Sequence, residues 1–126
     1  MIAYASRTGN VRYIVSKIKA EAIEIQDGLK LDKPYLLMTY TDGFGDVPEK
    51  VARFLEQNEQ WCKGVVVSGN SNFGHHVFGG AGEKIANAYR IPMVRKLDLR
   101  GIQADYEAIQ QFYETRVLDE NVFEIK

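Results

Sequence analysis

Between Ile2 and Ile18 the hydrophobic pattern changes period within a few residues, and that change dictates the kind of fold available. Ile2-Ala3-Tyr4-Ala5 is a short apolar run with the character of a buried strand. A small polar loop follows, Ser6-Arg7-Thr8-Gly9-Asn10. From Val11 the apolar residues fall at helical spacing: Val11, Ile14, Val15 and Ile18. A strand that turns directly into a helix is the opening of a parallel β-α-β unit. Such a turn aims backbone N–H groups and the positive end of the helix dipole at the loop, where a phosphate is stabilised. Ser6, Thr8 and Asn10 add side-chain donors. The loop lacks the glycines and lysine of a P-loop and the three-glycine spacing of a dinucleotide site, so it suits one terminal phosphate rather than a pyrophosphate. The same residue types also serve simply to cap a first helix, and the later loops must decide between the two.

The rest of the chain continues the alternation. Ala22-Ile23-Glu24-Ile25 reads as a second strand, and Tyr35-Leu36-Leu37-Met38-Thr39-Tyr40 as a third that is apolar nearly throughout, as a strand covered on both faces should be. The next helix carries Val47, Val51, Phe54 and Leu55 on its buried stripe, and Asp46, three residues before Glu49, has the spacing of a capping box with Pro48 in the first turn. Gly64-Val65-Val66-Val67-Ser68 is a fourth strand, followed by a helix with Phe78, Ile85, Ala86 and Tyr89 inward. Pro92 to Leu99 is a fifth, whose alternation of Val94, Leu97 and Leu99 with Arg95, Lys96 and Asp98 points to an edge position. A last helix uses Tyr106, Ile109 and Tyr113.

This order, β-α-β-β-α-β-α-β-α, predicts an α/β fold: a flavodoxin-like, doubly wound, five-stranded parallel sheet of order 2-1-3-4-5. One connection is short. Eight extended residues, Asp27 to Pro34, reach roughly 26 Å at about 3.3 Å each, and passing two strand spacings while returning one strand length needs roughly 20 Å. A bare loop makes that crossing and a helix does not, so the helix between the second and third strands is expected to be missing. At 126 residues one domain is the default, covering residues 1–126 with 116–126 as a C-terminal tail. That tail keeps Leu118, Val122, Phe123 and Ile125 and either folds back on the domain or contacts a partner.

Composition excludes several classes. A net charge of −1 gives no general affinity for nucleic acid. No apolar run approaches the length of a membrane span, and no basic segment precedes the first strand as in a signal peptide. The single Cys62 rules out an internal disulfide and reads as a half-buried thiol beside Trp61 in a reducing cytoplasm. His75-His76 is not expected to bind metal, because adjacent residues do not share a helix face and no Cys or carboxylate pattern completes a site; a place at a partner surface is the other reading. Ser6 and Ser68 are better read as ligands or caps than as nucleophiles.

Three loops should meet at one sheet edge, because each follows the C-terminal end of a parallel strand. They are the Ser6–Asn10 loop, the Thr41-Asp42-Gly43-Phe44-Gly45 loop and the Gly69-Asn70-Ser71-Asn72-Phe73-Gly74 loop. Their neighbourhood is the switch-point crevice where such folds bind ligands. The second and third loops each combine glycines with one aromatic, Phe44 or Phe73; Tyr40 adds a third ring, and Thr41, Asp42, Asn70, Ser71 and Asn72 offer small polar groups. A flat heteroaromatic ring with a polar rim, on a chain ending in one phosphate, suits this set. FMN is such a molecule.

The residues also carry a resemblance. Thr8-Gly9-Asn10-Val11, Thr39-Tyr40-Thr41 with Gly43-Phe44-Gly45, Val47-Pro48-Glu49, Ser68-Gly69-Asn70, Asn72-Phe73-Gly74 and the stretch from Leu97-Asp98-Leu99 to Gly101 resemble the NrdI family, small flavodoxin-like proteins that accompany class Ib ribonucleotide reductase. The likeness extends to about Tyr113, and the Ser-Gly-Asn-x-Asn-aromatic-Gly piece separates this chain from ordinary, longer flavodoxins. The family usually has an arginine where this chain has Ser71, which bears on any charge contact there and not on the fold.

The resemblance implies that Ser6, Arg7, Thr8, Gly9, Asn10 and Val11 hold the FMN phosphate. It implies that Tyr40, Thr41, Asp42, Gly43, Phe44 and Gly45 line one side of the isoalloxazine, with the Gly43–Phe44 peptide near flavin N5 and free to flip. Ser68, Gly69, Asn70, Asn72, Phe73 and Gly74 would wrap the pyrimidine edge, with Phe73 against the ring. The implied function is a redox accessory protein rather than a stand-alone enzyme. Its reduced flavin reacts with O2, and the oxidant passes to the dimanganese subunit NrdF to generate the tyrosyl radical; a flavin reductase or flavodoxin reductase would supply the electrons. The alternative is a general flavodoxin carrying single electrons. Nearby acids are few, Asp42, Asp46 and Glu49 against Arg7 and Arg12, which leans away from the acid-ringed flavin of a carrier. A receiver-like signalling domain would need an acid pair after the first strand, where Tyr4-Ala5-Ser6 stands instead.

Overall fold

The alternation is realised in a computed structural model that describes residues 1–74 and 78–118. In chain order the elements are β1 (Ile2–Tyr4), α1 (Asn10–Ser16), β2 (Ala22–Glu24), β3 (Tyr35–Tyr40), α2 (Glu49–Asn58), β4 (Cys62–Gly69), α3 (Gly80–Tyr89), β5 (Met93–Asp98) and α4 (Gln103–Phe112). A π-helical turn, Tyr113–Leu118, prolongs α4. The five strands form one parallel sheet in the order β2-β1-β3-β4-β5, as the spacing predicts. β5 occupies an edge.

The sheet is covered on both faces, and β3, apolar nearly throughout, is buried at every position but Tyr40. Along β3 successive side chains alternate between two cores. Leu36 and Met38 join Ile14, Ile18, Val66, Leu97 and Ile109 on the α1/α4 face. Tyr35 and Leu37 join Val51, Phe54, Leu55, Val65 and Ile85 on the α2/α3 face. The first face is closed at its lower end by Tyr113 and the fully buried Val117, so the beginning of the 116–126 segment packs on the sheet. Leu118 is partly exposed, and the expectation for Val122, Phe123 and Ile125 lies outside the described residues.

No helix intervenes between β2 and β3. Residues 25–34 cross the sheet as a loop, and the buried Asn58 at the end of α2 satisfies its backbone. Asn58 Oδ1 accepts from Leu31 N–H at 2.6 Å, and its Nδ2 donates to the carbonyls of Leu29 and Phe54, both at 2.9 Å. The Tyr35 hydroxyl in turn donates to the Asn58 carbonyl at 2.9 Å. One polar side chain thus does for this loop what a helix does for its own peptide groups.

Three local expectations are corrected. Asp46 does not cap α2; Pro48 takes the N-cap position with no side-chain bond. Asp46 is instead committed to closing the preceding loop, where Asp42 N–H donates to its carbonyl at 2.8 Å and its own N–H donates to the Asp42 carbonyl at 2.7 Å. Phe78 precedes α3 rather than lying within it, because the helix starts at Gly80. Gly80 is required there: a Cβ would lie 2.9 Å from the Gly45 Cα, so α3 abuts the second loop backbone to backbone. Cys62 is fully rather than half buried, and burial pushes its thiol up to about 11.

Candidate functional site

The C-terminal ends of β1, β3 and β4 open into a cleft of about 500 Å³, within the size range of small-molecule and cofactor sites. Ser6, Arg7, Thr8, Asn10 and Val11 line it from the first loop, Tyr40, Thr41, Asp42 and Gly43 from the second, and Ser68, Gly69 and Asn70 from the third. The other expected residues stand behind or beside the wall. Gly9 caps α1 with φ 95°, a left-handed turn that glycine takes without strain. Gly45 backs onto α3, and Phe44 projects from the loop tip at 85% exposure. Asn72 N–H donates to Asn70 Oδ1 at 3.0 Å, inside a single 3-10 turn, Ser71–Phe73, that ends at Gly74. The expectations for the Phe73 ring and for His75-His76 fall outside the described side chains and residues. Among the described residues no group of three or more His, Cys, Asp and Glu is placed to hold a metal ion, and no helix is long and apolar enough to cross a membrane.

The first loop is organised by side chains. Ser6 Oγ accepts from Arg12 N–H at 3.3 Å. Asn10 Oδ1 accepts from Arg100 Nε at 3.2 Å, which leaves the amide NH2 as its remaining donor. Arg7 reaches across the cleft mouth: its guanidinium lies 5.0 Å from the Tyr40 ring centre and 2.7 Å from Asp42 Oδ1. The other charges that the sequence places nearby are engaged elsewhere, Arg12 with Glu24, Asp46 with Lys84, and Glu49 with Arg53.

The residues present fit a polar-rimmed ligand. The Thr41 hydroxyl oxygen is buried in the cleft wall with no hydrogen-bond partner among the described residues. An unpaired buried hydroxyl costs about 1–3 kcal/mol, which a ligand bond would offset.

A fourth segment contributes that sequence reasoning missed. Leu99, in a left-handed conformation at φ 55°, lines the cleft, and its N–H donates to the Gly69 carbonyl at 2.7 Å. Ser68 Oγ donates to the Leu99 carbonyl at 2.5 Å. Arg100 stacks over the Tyr13 ring at 4.6 Å. The signal available was the end of β5 itself: it is parallel to the others, so its C-terminal end reaches the same edge, and Gly101 marks a turn there.

A five-stranded parallel sheet of this order, with a cleft at the reversal between its first and third strands, defines a flavodoxin-like protein. A solved short-chain flavodoxin associated with a non-canonical PDU bacterial microcompartment superposes with a TM-score of 0.68 at 21% identity, covering 94% of this chain and 95% of that one, a likeness of fold. The chain belongs to the NrdI flavodoxin-like family, whose sequence model, described as "NrdI Flavodoxin like", matches residues 2–111. It is 36% identical over 124 residues to the SPbeta prophage-derived protein NrdI of Bacillus subtilis strain 168, covering 95% of this chain and 94% of that protein. It is 39% identical over 115 residues to Protein NrdI of Deinococcus radiodurans, covering 88% of this chain and 80% of that protein.

Proposed function

We propose that this chain is a single FMN-binding domain and a cytoplasmic redox accessory protein of class Ib ribonucleotide reductase. The observation that carries the FMN reading is the Thr41 hydroxyl, buried and unpartnered in the wall of a switch-point cleft, in a chain of the NrdI flavodoxin-like family. When bound, the flavin would supply electrons to O2, and the oxidant so formed would assemble the dimanganese-tyrosyl radical cofactor of the small subunit NrdF.

This chain's residues bind and orient. Ser6, Thr8 and the Asn10 amide face the phosphate end as donors, and Arg7 exchanges its exposed pairing with Asp42 for the phosphate charge. Tyr40 offers an aromatic face to the ring. Thr41, Ser68, Gly69 and Asn70 supply polar groups at the ring's edge, and the Gly43–Phe44 peptide presents either a carbonyl or an N–H beside it. Phe44, 85% exposed on the second loop beside the cleft-lining Gly43, offers an apolar ring for NrdF to cover when it docks.

The test has two stages. Purified protein, as isolated or after mixing with FMN, should show a flavin absorbance spectrum; no uptake would overturn the reading. Anaerobically reduced protein is then mixed with manganese-loaded NrdF and exposed to O2. A tyrosyl radical seen by electron paramagnetic resonance is the expected result, and none, with FMN bound, would leave a general electron carrier.

A further inference from the structure

The loop after β4 is secured by a side chain outside the cleft wall. Asp98, the last residue of β5, accepts from Ser71 N–H at 3.1 Å through Oδ1 and from Ser71 Oγ at 2.7 Å through Oδ2. Both carboxylate oxygens therefore serve one residue of the neighbouring loop, which fixes that residue's backbone and rotamer together. These bonds hold the Asp98 carboxyl below its ordinary range. The two neighbouring bonds, Leu99 N–H to Gly69 and Ser68 Oγ to Leu99, lie at the root of the loop. The Asp98–Ser71 pair lies further out, and there it holds the turn in which Asn72 N–H closes onto Asn70. Asp98 and Ser71 are both exposed and belong to neither core, so little of the fold depends on them.

We propose that Asp98 is a positioning residue for the cofactor: through the two hydrogen bonds it accepts from Ser71 it holds Gly69 and Asn70 in place for the ring end of the flavin, leaving the phosphate end untouched. This rests on the FMN reading above. The geometry separates the two ends, because among the described residues the Asp98 carboxylate bonds to Ser71 of the third loop while the phosphate donors sit on the first.

Riboflavin has the ring without the phosphate, so it tests the division directly. Wild type, Asp98→Ala, Ser71→Ala, the double variant and Ser71→Thr are each titrated with FMN and with riboflavin, and each ligand-free protein is melted. Asp98→Ala is expected to weaken both ligands by the same factor, about tenfold for the loss of a charge-assisted pair. The double variant should be no weaker than Asp98→Ala alone, and Ser71→Thr, which keeps both donors, should bind as wild type does. The melting temperature of the ligand-free protein should fall only slightly, by up to about 8 °C, because the bonds that order this loop add to the stability of the fold as well as to binding. A loss confined to FMN, additive losses in the double variant, or a fall in melting temperature of more than about 15 °C would overturn the proposal. Wild type that takes up neither ligand would overturn the FMN reading instead. Amide exchange at Ser71 and Asn72 in the ligand-free proteins would then decide: faster exchange in Asp98→Ala supports the positioning role, and equal rates overturn it.

Discussion

Arg7 and Asp42 join the first and second loops across the mouth of the cleft, with Nη1 and Oδ1 2.7 Å apart. Both side chains are about half exposed, so the pair is worth at most about 1 kcal/mol and gives way easily. A phosphate-bearing ligand competes with Asp42 for the same guanidinium. Asp42→Asn is therefore expected to tighten FMN binding by up to about fivefold at low salt, with the gain fading as salt is raised. Fluorescence titration at two ionic strengths checks this; weaker binding would show that Asp42 itself holds the ligand.

Thr41 gives a prediction with opposite signs for stability and binding. Thr41→Val keeps the shape and removes the unpartnered hydroxyl. The ligand-free protein should gain about 1 kcal/mol in urea unfolding, while FMN affinity falls about tenfold. A loss in both would mean that the hydroxyl is already satisfied without ligand.

At the phosphate end, replacing Thr8 and Asn10 together with Ala should cost roughly 1–3 kcal/mol of FMN affinity and leave riboflavin affinity unchanged. Unchanged FMN affinity would assign the phosphate to backbone N–H groups alone.

Asn58→Ala strands the buried Leu31 N–H and deprives the part-buried Leu29 carbonyl of its partner. It should destabilise the protein by about 2 kcal/mol in urea unfolding, since one buried and one part-buried group lose their bonds. The cleft lies at the other edge of the sheet, so FMN affinity at low temperature should persist.

The Asp98 carboxyl supplies the pH dependence. Its folded value lies below the ordinary 3.8 because Ser71 bonds to the charged form. Its stabilising effect is therefore fully present above 3.8 and is lost as pH falls through the lower folded value. Amide exchange at Ser71, corrected for intrinsic rates, should stay slow at pH 5 and speed up only below that carboxylate range. Acceleration already near neutral pH would contradict the assignment.

Much of this was legible in the sequence because it depends on chain length and period. The apolar run at Tyr35–Tyr40 could only be a central strand, and the short Asp27–Pro34 link could not hold a helix. Three of the cleft's walls followed from strand order alone. What escaped depends on contacts between distant residues. Asp46 has the spacing of a cap, but backbone closure onto Asp42 claims it first. Asn58 looks like any polar residue at a helix end until residues 29–31 are folded over it. Arg100 and Asp98 meet Asn10 and Ser71 across 90 and 27 positions, and no local pattern announces such pairs.

The reliance of the crossover on Asn58 also orders events during synthesis. As the nascent chain leaves the ribosome, β1, β2 and β3 emerge well before the residue that satisfies the loop between them. Until then the loop is also uncovered, because Val51, Phe54 and Leu55 of the same helix are what close over Leu29 and Leu31, and water serves the Leu29 carbonyl and the Leu31 N–H. The segment that shuts water out of the crossover therefore brings the replacement for that water with it, and the crossover is sealed when α2 docks and not before.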